Sequence, residues 1–385
     1  MSESIHMIIG ADLVPTQSNF QEFREADLDK LVGRELLELL EKADFRIFNL
    51  ETPLTDELHP ISKCGPNLSA PVFTVAGIQA LNPSLLTLAN NHILDQDATG
   101  LFSTLQALQQ RHIPYVGAGK NLTEASKPYL LQKDGKRIGV YACAEHEFSI
   151  ASKQRAGANP YDPLESYDHI SSLKKQCDYL IVLYHGGKEY YRYPSPDLRK
   201  TCRKFVDKGA DIVVCQHSHC IGCLETYQHG KIVYGQGNFI FDHSEHECWQ
   251  TSILLNVELF LEKKEVQIHA VPLRKCKNVV RIAGHEDANS ILQAFHARSS
   301  KIQDEGFLES QYREFAEQSM IQILYRFQSK PSLRFLKLLR RIGGEKAPDW
   351  YFKKFLLPYK RLEMRNVLEC EAWRELLLKA LSQAD

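Results

Sequence analysis

The sequence predicts an α/β fold followed by a separate helical region, and three observations carry that prediction. Between about residues 5 and 240, short apolar runs alternate with longer amphipathic segments, the rhythm of βαβ units and of a mainly parallel sheet covered by helices. Glycine-containing turns between alternating runs add antiparallel hairpins to that sheet. Beyond about residue 282 glycine becomes scarce, strand patterns vanish, and apolar residues such as Phe307, Phe315, Ile323 and Leu324 recur at helical spacing. Two domains are therefore expected, residues 1–282 and residues 283–385.

In chain order, residues 6–9 read as the first strand and 28–42 as an amphipathic helix. Residues 45–48 and 85–88 read as the next strands, and 100–111 as the helix that follows them. A hairpin joins 129–133 to 137–141 through Asp134-Gly135-Lys136. Residues 179–184 form a continuous apolar run, as a strand buried on both faces requires, and a helix over 195–208 leads to another strand over 211–215. A second hairpin joins 223–227 to 231–234 around His229-Gly230. Residues 252–260 and 265–272 alternate apolar and polar side chains about Glu262-Lys263-Lys264, the pattern of an antiparallel closing pair.

Composition sets bounds on function. With 43% hydrophobic and 25% charged residues over 385 positions, the chain is neither disordered, collagen-like nor a disulfide scaffold. A formal charge of -1 provides no overall field for a polyanion, so nucleic acid is the least favoured partner. No run of about 18 apolar residues is present, so no membrane span is expected, and residues 1–14 lack the basic and small-residue features of a signal peptide. Ten scattered cysteines suit reduced thiols. A cytoplasmic protein is expected. Residues 325–365 depart locally from this balance, with twelve Lys or Arg against three Asp or Glu, interleaved with Phe327, Phe335, Trp350 and Phe355. Such a region either docks on an anionic surface or partner, peripheral to the inner face of a membrane, or forms a helical cap with its aromatics buried.

Ligands of an α/β sheet gather just beyond the carboxyl ends of its strands. Here those ends read Gly10-Ala11-Asp12, Asn49-Leu50-Glu51, Asn90-Asn91-His92, His185-Gly186-Gly187 and Gln216-His217-Ser218-His219. Carboxylates, an amide oxygen and imidazoles on one edge suit Zn, Mn, Fe or Mg. Alone, Asp12 reads more readily as a turn or helix cap and His185 as a structural histidine; five such ends in sequence make a metal site the better reading.

The same order of motifs resembles the calcineurin-like metallophosphoesterase superfamily, and within it the bacterial capsule-synthesis proteins of the CapA type, associated with poly-gamma-glutamate. Further matching segments are Thr52-Pro53-Leu54, Leu94-Asp95, Tyr115-Val116-Gly117-Ala118-Gly119, Lys188-Glu189-Tyr190 and Gly235-Gln236-Gly237-Asn238-Phe239-Ile240-Phe241-Asp242. The resemblance covers residues 5–272. It implies a four-layer α/β/β/α sandwich holding one or two divalent ions, with Asp12 and His219 on one, Asn91, His185 and His217 on the other, and Glu51 bridging. It further implies hydrolysis or transfer at a phosphoester or amide bond by metal-bound hydroxide, with His92 as general acid. Asp95 either orients His92 or caps the following helix, and Lys188, Glu189, Asn238 and Asp242 are candidate substrate contacts. The expected substrate is an anionic polymer or a phosphorylated compound, and the tail is a candidate dock for a biosynthetic partner. Two positions depart from the phosphoesterase pattern: Val14 stands where a histidine ligand is usual, and Glu51 where an aspartate bridges. They keep open a second reading, a catalytically degenerate sandwich that binds polymer or a synthase. Cys220-x-x-Cys223 lacks the second pair that a zinc site would need.

Overall fold

The computed structural model describes residues 4–381 and divides into two compact units, one running to Glu309 and the other starting at Ser310. The first unit is built on two sheets. From one edge, the larger sheet contains β16 (Val279–Ile282), β15 (Glu265–Cys276), β14 (Thr251–Phe260), β1 (Ser4–Val14), β2 (Phe45–Leu50), β3 (Leu85–Thr87) and β4 (Tyr115–Val116). β1 to β4 run parallel, β14 to β16 form an antiparallel extension, and β13 (Asn238–Phe241) pairs in parallel with the far end of β1. The second sheet has the order β11 (Leu224–Tyr227), β12 (Gly230–Tyr234), β10 (Ile212–Gln216), β9 (Tyr179–His185), β7 (Lys136–Ala144) and β6 (Tyr129–Lys133), parallel at its centre with an antiparallel hairpin at each edge. A short ladder joins β5 (Ala118–Gly119) to β8 (Gly157–Ala158).

Side-chain alternation sorts the second sheet into two packed faces. Ile138, Val140, Ala142, Ile181, Leu183, Ile212 and Val214 join the core that contains Ile9, Leu13, Ile47 and Leu254 of the first sheet. Tyr141, Cys143, Leu180, Val182, Tyr184 and Val213 pack instead with Ile170 and Leu173 of the Ser166–Lys174 helix and Phe205 and Val206 of the Pro196–Asp207 helix. Helices over Arg34–Lys42 and Asp97–Gln110 contribute Leu36, Leu40, Leu101 and Leu108 to the first core. The layers are thus α/β/β/α. That layering is the one the sequence resemblance implies.

Local differences from the sequence reading have local causes. The helix expected over 28–42 is broken into Leu28–Leu31 and Arg34–Lys42, because Gly33 turns at φ +76°. A Cβ there would stand 2.7 Å from Arg281 Cδ, and the Arg281 guanidinium donates to the carbonyls of Leu31 at 3.1 Å and Lys30 at 2.7 Å. The first hairpin turns at Asp134 (φ 51°) and Gly135 (φ 75°), both left-handed as a two-residue turn demands. The His285–Lys301 helix after the last strand packs on the sandwich. It buries Ile291 and Phe295, Arg298 Nε donates to Gly222 O at 2.8 Å, and Ser299 Oγ accepts from the Leu224 amide at 2.9 Å.

The second unit is helical, with elements over Lys330–Gly343, Ala347–Tyr351, Leu357–Glu369 and Glu371–Leu381, and a small core of Leu324, Leu336 and Phe352. Phe352 is buried, whereas Phe327, Phe335, Trp350, Phe355 and Trp373 are exposed. Among the described residues no helix is long and apolar enough to cross a membrane.

Candidate metal centre

Strand register decides what reaches the site. Asp12 lies opposite Asn49 across β1 and β2, and Glu51 follows the last residue of β2. In the second sheet, Ala144, His185 and Gln216 stand level at the ends of β7, β9 and β10. Residues 217–219 then turn sharply, with left-handed φ of 86° at His217 and 52° at His219. Such conformations cost a non-glycine residue about 1–3 kcal/mol each and persist where surrounding structure enforces them. They allow two imidazoles of alternate residues to serve one pocket.

The six residues read as metal ligands come together. Glu51, His185 and His217 offer atoms that all lie within 4.8 Å of one another, as do Asp12, Glu51 and His219, so Glu51 is common to both groups. Asn91 Oδ1 lies 3.0 Å from His185 Nε2, and the His185 and His217 ring centroids are 4.9 Å apart. Both carboxylates are fully buried. Asp12 Oδ2 and both oxygens of Glu51 accept no well-aligned hydrogen bond, although His185 Nε2 is 3.1 Å from Glu51 Oε1; that nitrogen aims at Asn91 instead. Buried carboxylate oxygens without donors are costly unless a cation compensates them, and this donor set of carboxylate, amide and imidazole fits a divalent ion.

The titration of the group follows the same geometry. Burial and the charge of Glu51 raise the Asp12 pKa. Burial opposes ionisation of Glu51 too, but the neighbouring His185 outweighs it and holds Glu51 below its usual value. Burial and the adjacent imidazoles push His217 down, while His219, despite burial, is pushed up to about 9 by Asp12 and Glu51.

Beside these groups, His92 Nδ1 is 2.5 Å from Asp95 Oδ2. Asp95 also accepts from the Leu68 amide at 2.6 Å and from Lys63 Nζ. Its carboxylate is therefore engaged with His92 and does not cap the Asp97–Gln110 helix, which has no side-chain cap. Asn238 Oδ1 sits 2.9 Å from His219 Nδ1 and orients that ring, which also packs at a tilt against Trp249, with ring centroids 4.7 Å apart. Asp242 is ion-paired to Lys275 at 2.7 Å and accepts from Ser18 Oγ at 2.6 Å. Lys188 and Glu189 are exposed, three and four residues beyond His185. Val14 is buried with Cys220, Phe241, Cys248 and Trp249, so an apolar cluster occupies the position of the usual histidine. Cys223 lies in a different core, which separates the two cysteines of the C-x-x-C.

Four contributors were given no role by the sequence reading. Lys63, from a loop, is buried against Asp95. Asn49 donates to Asp12 Oδ1 at 2.8 Å, and Glu147 Oε2 accepts from Asn91 Nδ2 at 2.6 Å. Glu145 follows β7, which runs three residues beyond the expected strand end at Tyr141; extending the apolar run Val140-Tyr141-Ala142-Cys143-Ala144 to its first polar residue finds it. A concavity of about 1060 Å³, lined by Tyr161, Tyr167, Arg199 and Arg203 among others, holds none of these residues. Its Arg199 and Arg203 are already paired with buried Glu225.

Residues 8–243 match the family model of the bacterial capsule synthesis protein PGA_cap. The chain is 32% identical over 220 residues to the capsule biosynthesis protein CapA of Bacillus anthracis, covering 55% of this chain and 54% of that one. It is 31% identical over 204 residues to the PGA biosynthesis protein CapA of Bacillus subtilis strain 168, covering 52% and 54%. The chain thus spans about half the length of the curated relatives it matches. Among solved structures, the NAD nucleotidase of Haemophilus influenzae superposes with a TM-score of 0.44 at 12% identity, over 76% of this chain and 62% of that one. With more than half of its length matched by the family model, the chain belongs to the bacterial capsule synthesis protein family PGA_cap.

Proposed function

We propose that this protein is a metal-dependent hydrolase or transferase of capsule assembly, acting on an anionic polymer of the poly-gamma-glutamate type or on a phosphorylated precursor. The observation that carries the reading is the pair of fully buried, donor-poor carboxylates, Asp12 and Glu51, among His185, His217 and His219. Asp12, Glu51 and His219 would hold one ion, and Glu51, Asn91, His185 and His217 the other. When bound, divalent ions supply positive charge to polarise a phosphoryl or acyl oxygen and acidity to activate water. The protein's own part is to exclude bulk water and to place a proton donor. His92 is nearly buried and has Nδ1 engaged by Asp95, which leaves Nε2 to deliver a proton to a leaving group. Lys63, held against both His92 and Asp95, fixes that pair in place.

One observation favours a second reading, a binding module with little turnover. The Val14 cluster leaves the Asp12 side with three protein ligands, so its ion would be held weakly. Metal analysis of protein purified without chelator, followed by assay on bis(p-nitrophenyl) phosphate and on a gamma-glutamyl amide, tests the choice. Bound metal with turnover that Glu51→Gln removes supports the enzyme. Bound metal without turnover on either substrate supports the binding module, and absence of metal rejects both metal assignments.

A further inference from the structure

The second sheet delivers one acidic segment that the ligand set does not use. Residues 145–149 leave the end of β7 beside the ends of β9 and β10, and the Glu145 amide donates to His185 O at 2.9 Å. From there the segment reaches two candidate ligands at once. Glu145 Oε1 is 3.4 Å from His217 Nε2, while its other oxygen accepts from the Gly187 amide at 3.3 Å. Glu147 Oε2 accepts from Asn91 Nδ2 at 2.6 Å, and Ser149 Oγ donates to Asn91 O at 2.6 Å.

The two nitrogens of His217 differ in environment. Nδ1 is buried and has no hydrogen-bond partner, whereas Nε2 faces the Glu145 carboxylate. A carboxylate facing Nε2 favours the tautomer with the proton on Nε2 and the lone pair on Nδ1, and an ion is a partner that a buried lone pair of this kind can take. The same logic applies to Asn91. With Nδ2 committed to Glu147, Oδ1 is turned inward to His185 Nε2 at 3.0 Å. Both carboxylates face the ligand atom opposite the one left towards the pocket.

We propose that Glu145 and Glu147 are positioning residues of the metal centre: Glu145 sets the tautomer of His217 so that Nδ1 faces the ion, and Glu147 sets the amide of Asn91 so that Oδ1 does. The inference rests on the metal reading above. Neither carboxylate belongs to the two groups of candidate ligand atoms. Partners of this kind alter metal affinity by about 10–100-fold when removed.

The test is the dissociation constant for Mn²⁺ or Zn²⁺, measured on the full chain by competition with a chromophoric chelator, alongside the melting temperature of the ion-free protein. Glu145→Leu should weaken one ion by about 10–100-fold. Glu145→Gln keeps an acceptor oxygen and should recover most of that loss, a rescue that a purely structural role would not produce at unchanged ion-free melting temperature. Glu147→Leu should weaken the same ion, and His217→Ala should abolish it. Wild-type affinity in Glu145→Leu overturns the proposal, as does loss as complete as that of His217→Ala, which would make Glu145 a direct ligand. Wild-type protein that takes up no ion overturns the metal reading itself, a result that no Glu145 variant can mimic.

Discussion

Breaking the Lys63–Asp95 contact should destabilise the sandwich by an amount that betrays its burial. The Lys63 side chain is 2% exposed and that of Asp95 fully buried. Asp95→Asn leaves the Lys63 ammonium without its counter-charge in a site that water does not reach, at a cost of about 3–5 kcal/mol. Lys63→Met should cost less, because Asp95 retains His92 Nδ1 and the Leu68 amide as partners. The double variant removes both charges and should fall short of the summed losses by at least roughly 2 kcal/mol. The three tryptophans are Trp249, Trp350 and Trp373. In a Trp350→Phe/Trp373→Phe background, urea unfolding followed by fluorescence therefore reports the first unit alone. A loss below about 1 kcal/mol in Asp95→Asn, or additivity within about 0.5 kcal/mol, would refute a buried, coupled pair.

Other expectations follow from the same geometry. His92→Ala should lose turnover on a generic phosphodiester and keep its bound metal, whereas His217→Ala should lose metal as well; metal stripped from His92→Ala would show that the roles are wrongly divided. In ion-free protein, His219 is raised from 6.5 to about 9, so its contribution to stability is complete below pH 6.5 and lost as pH rises through 9. The melting-temperature advantage of wild type over His219→Asn should shrink over that interval, and an advantage that grows with pH would contradict the assignment. In the tail, Phe335, Leu338 and Ile342 are exposed at helical spacing on Lys330–Gly343, a helix whose charged residues are all basic. Co-sedimentation with phosphatidylserine vesicles should fall steeply with salt, and by roughly 100-fold in Arg334→Glu/Lys337→Glu/Arg341→Glu, at about 1 kcal/mol per basic residue; salt-insensitive binding equal in both proteins would reject docking.

Much of the sandwich was legible because buried parallel strands announce themselves. Tyr179–His185 is apolar to its last residue, and that residue is a site histidine. What the sequence hid depends on geometry that periodicity does not encode. The break at Gly33 is set by Arg281, some 250 positions away, whose guanidinium needs the carbonyls of residues 30 and 31. Lys63 lies in a loop without periodic pattern, and only tertiary packing brings it to Asp95. Asn238 and Asp242 are close in sequence and divide in space, one orienting His219 and the other paired with Lys275. Glu145 was missed by three residues of strand length, an error in placing a boundary and not in recognising an element.

The central question is whether the pocket holds divalent ions where the buried carboxylates lie. Anomalous diffraction from crystals of the full chain grown with Mn²⁺ measures this directly. A strong peak is expected among Glu51, Asn91, His185 and His217 and a weaker one between Asp12 and His219, where Val14 stands in place of a ligand. No peak at either position, or a peak at residues other than these, would contradict it.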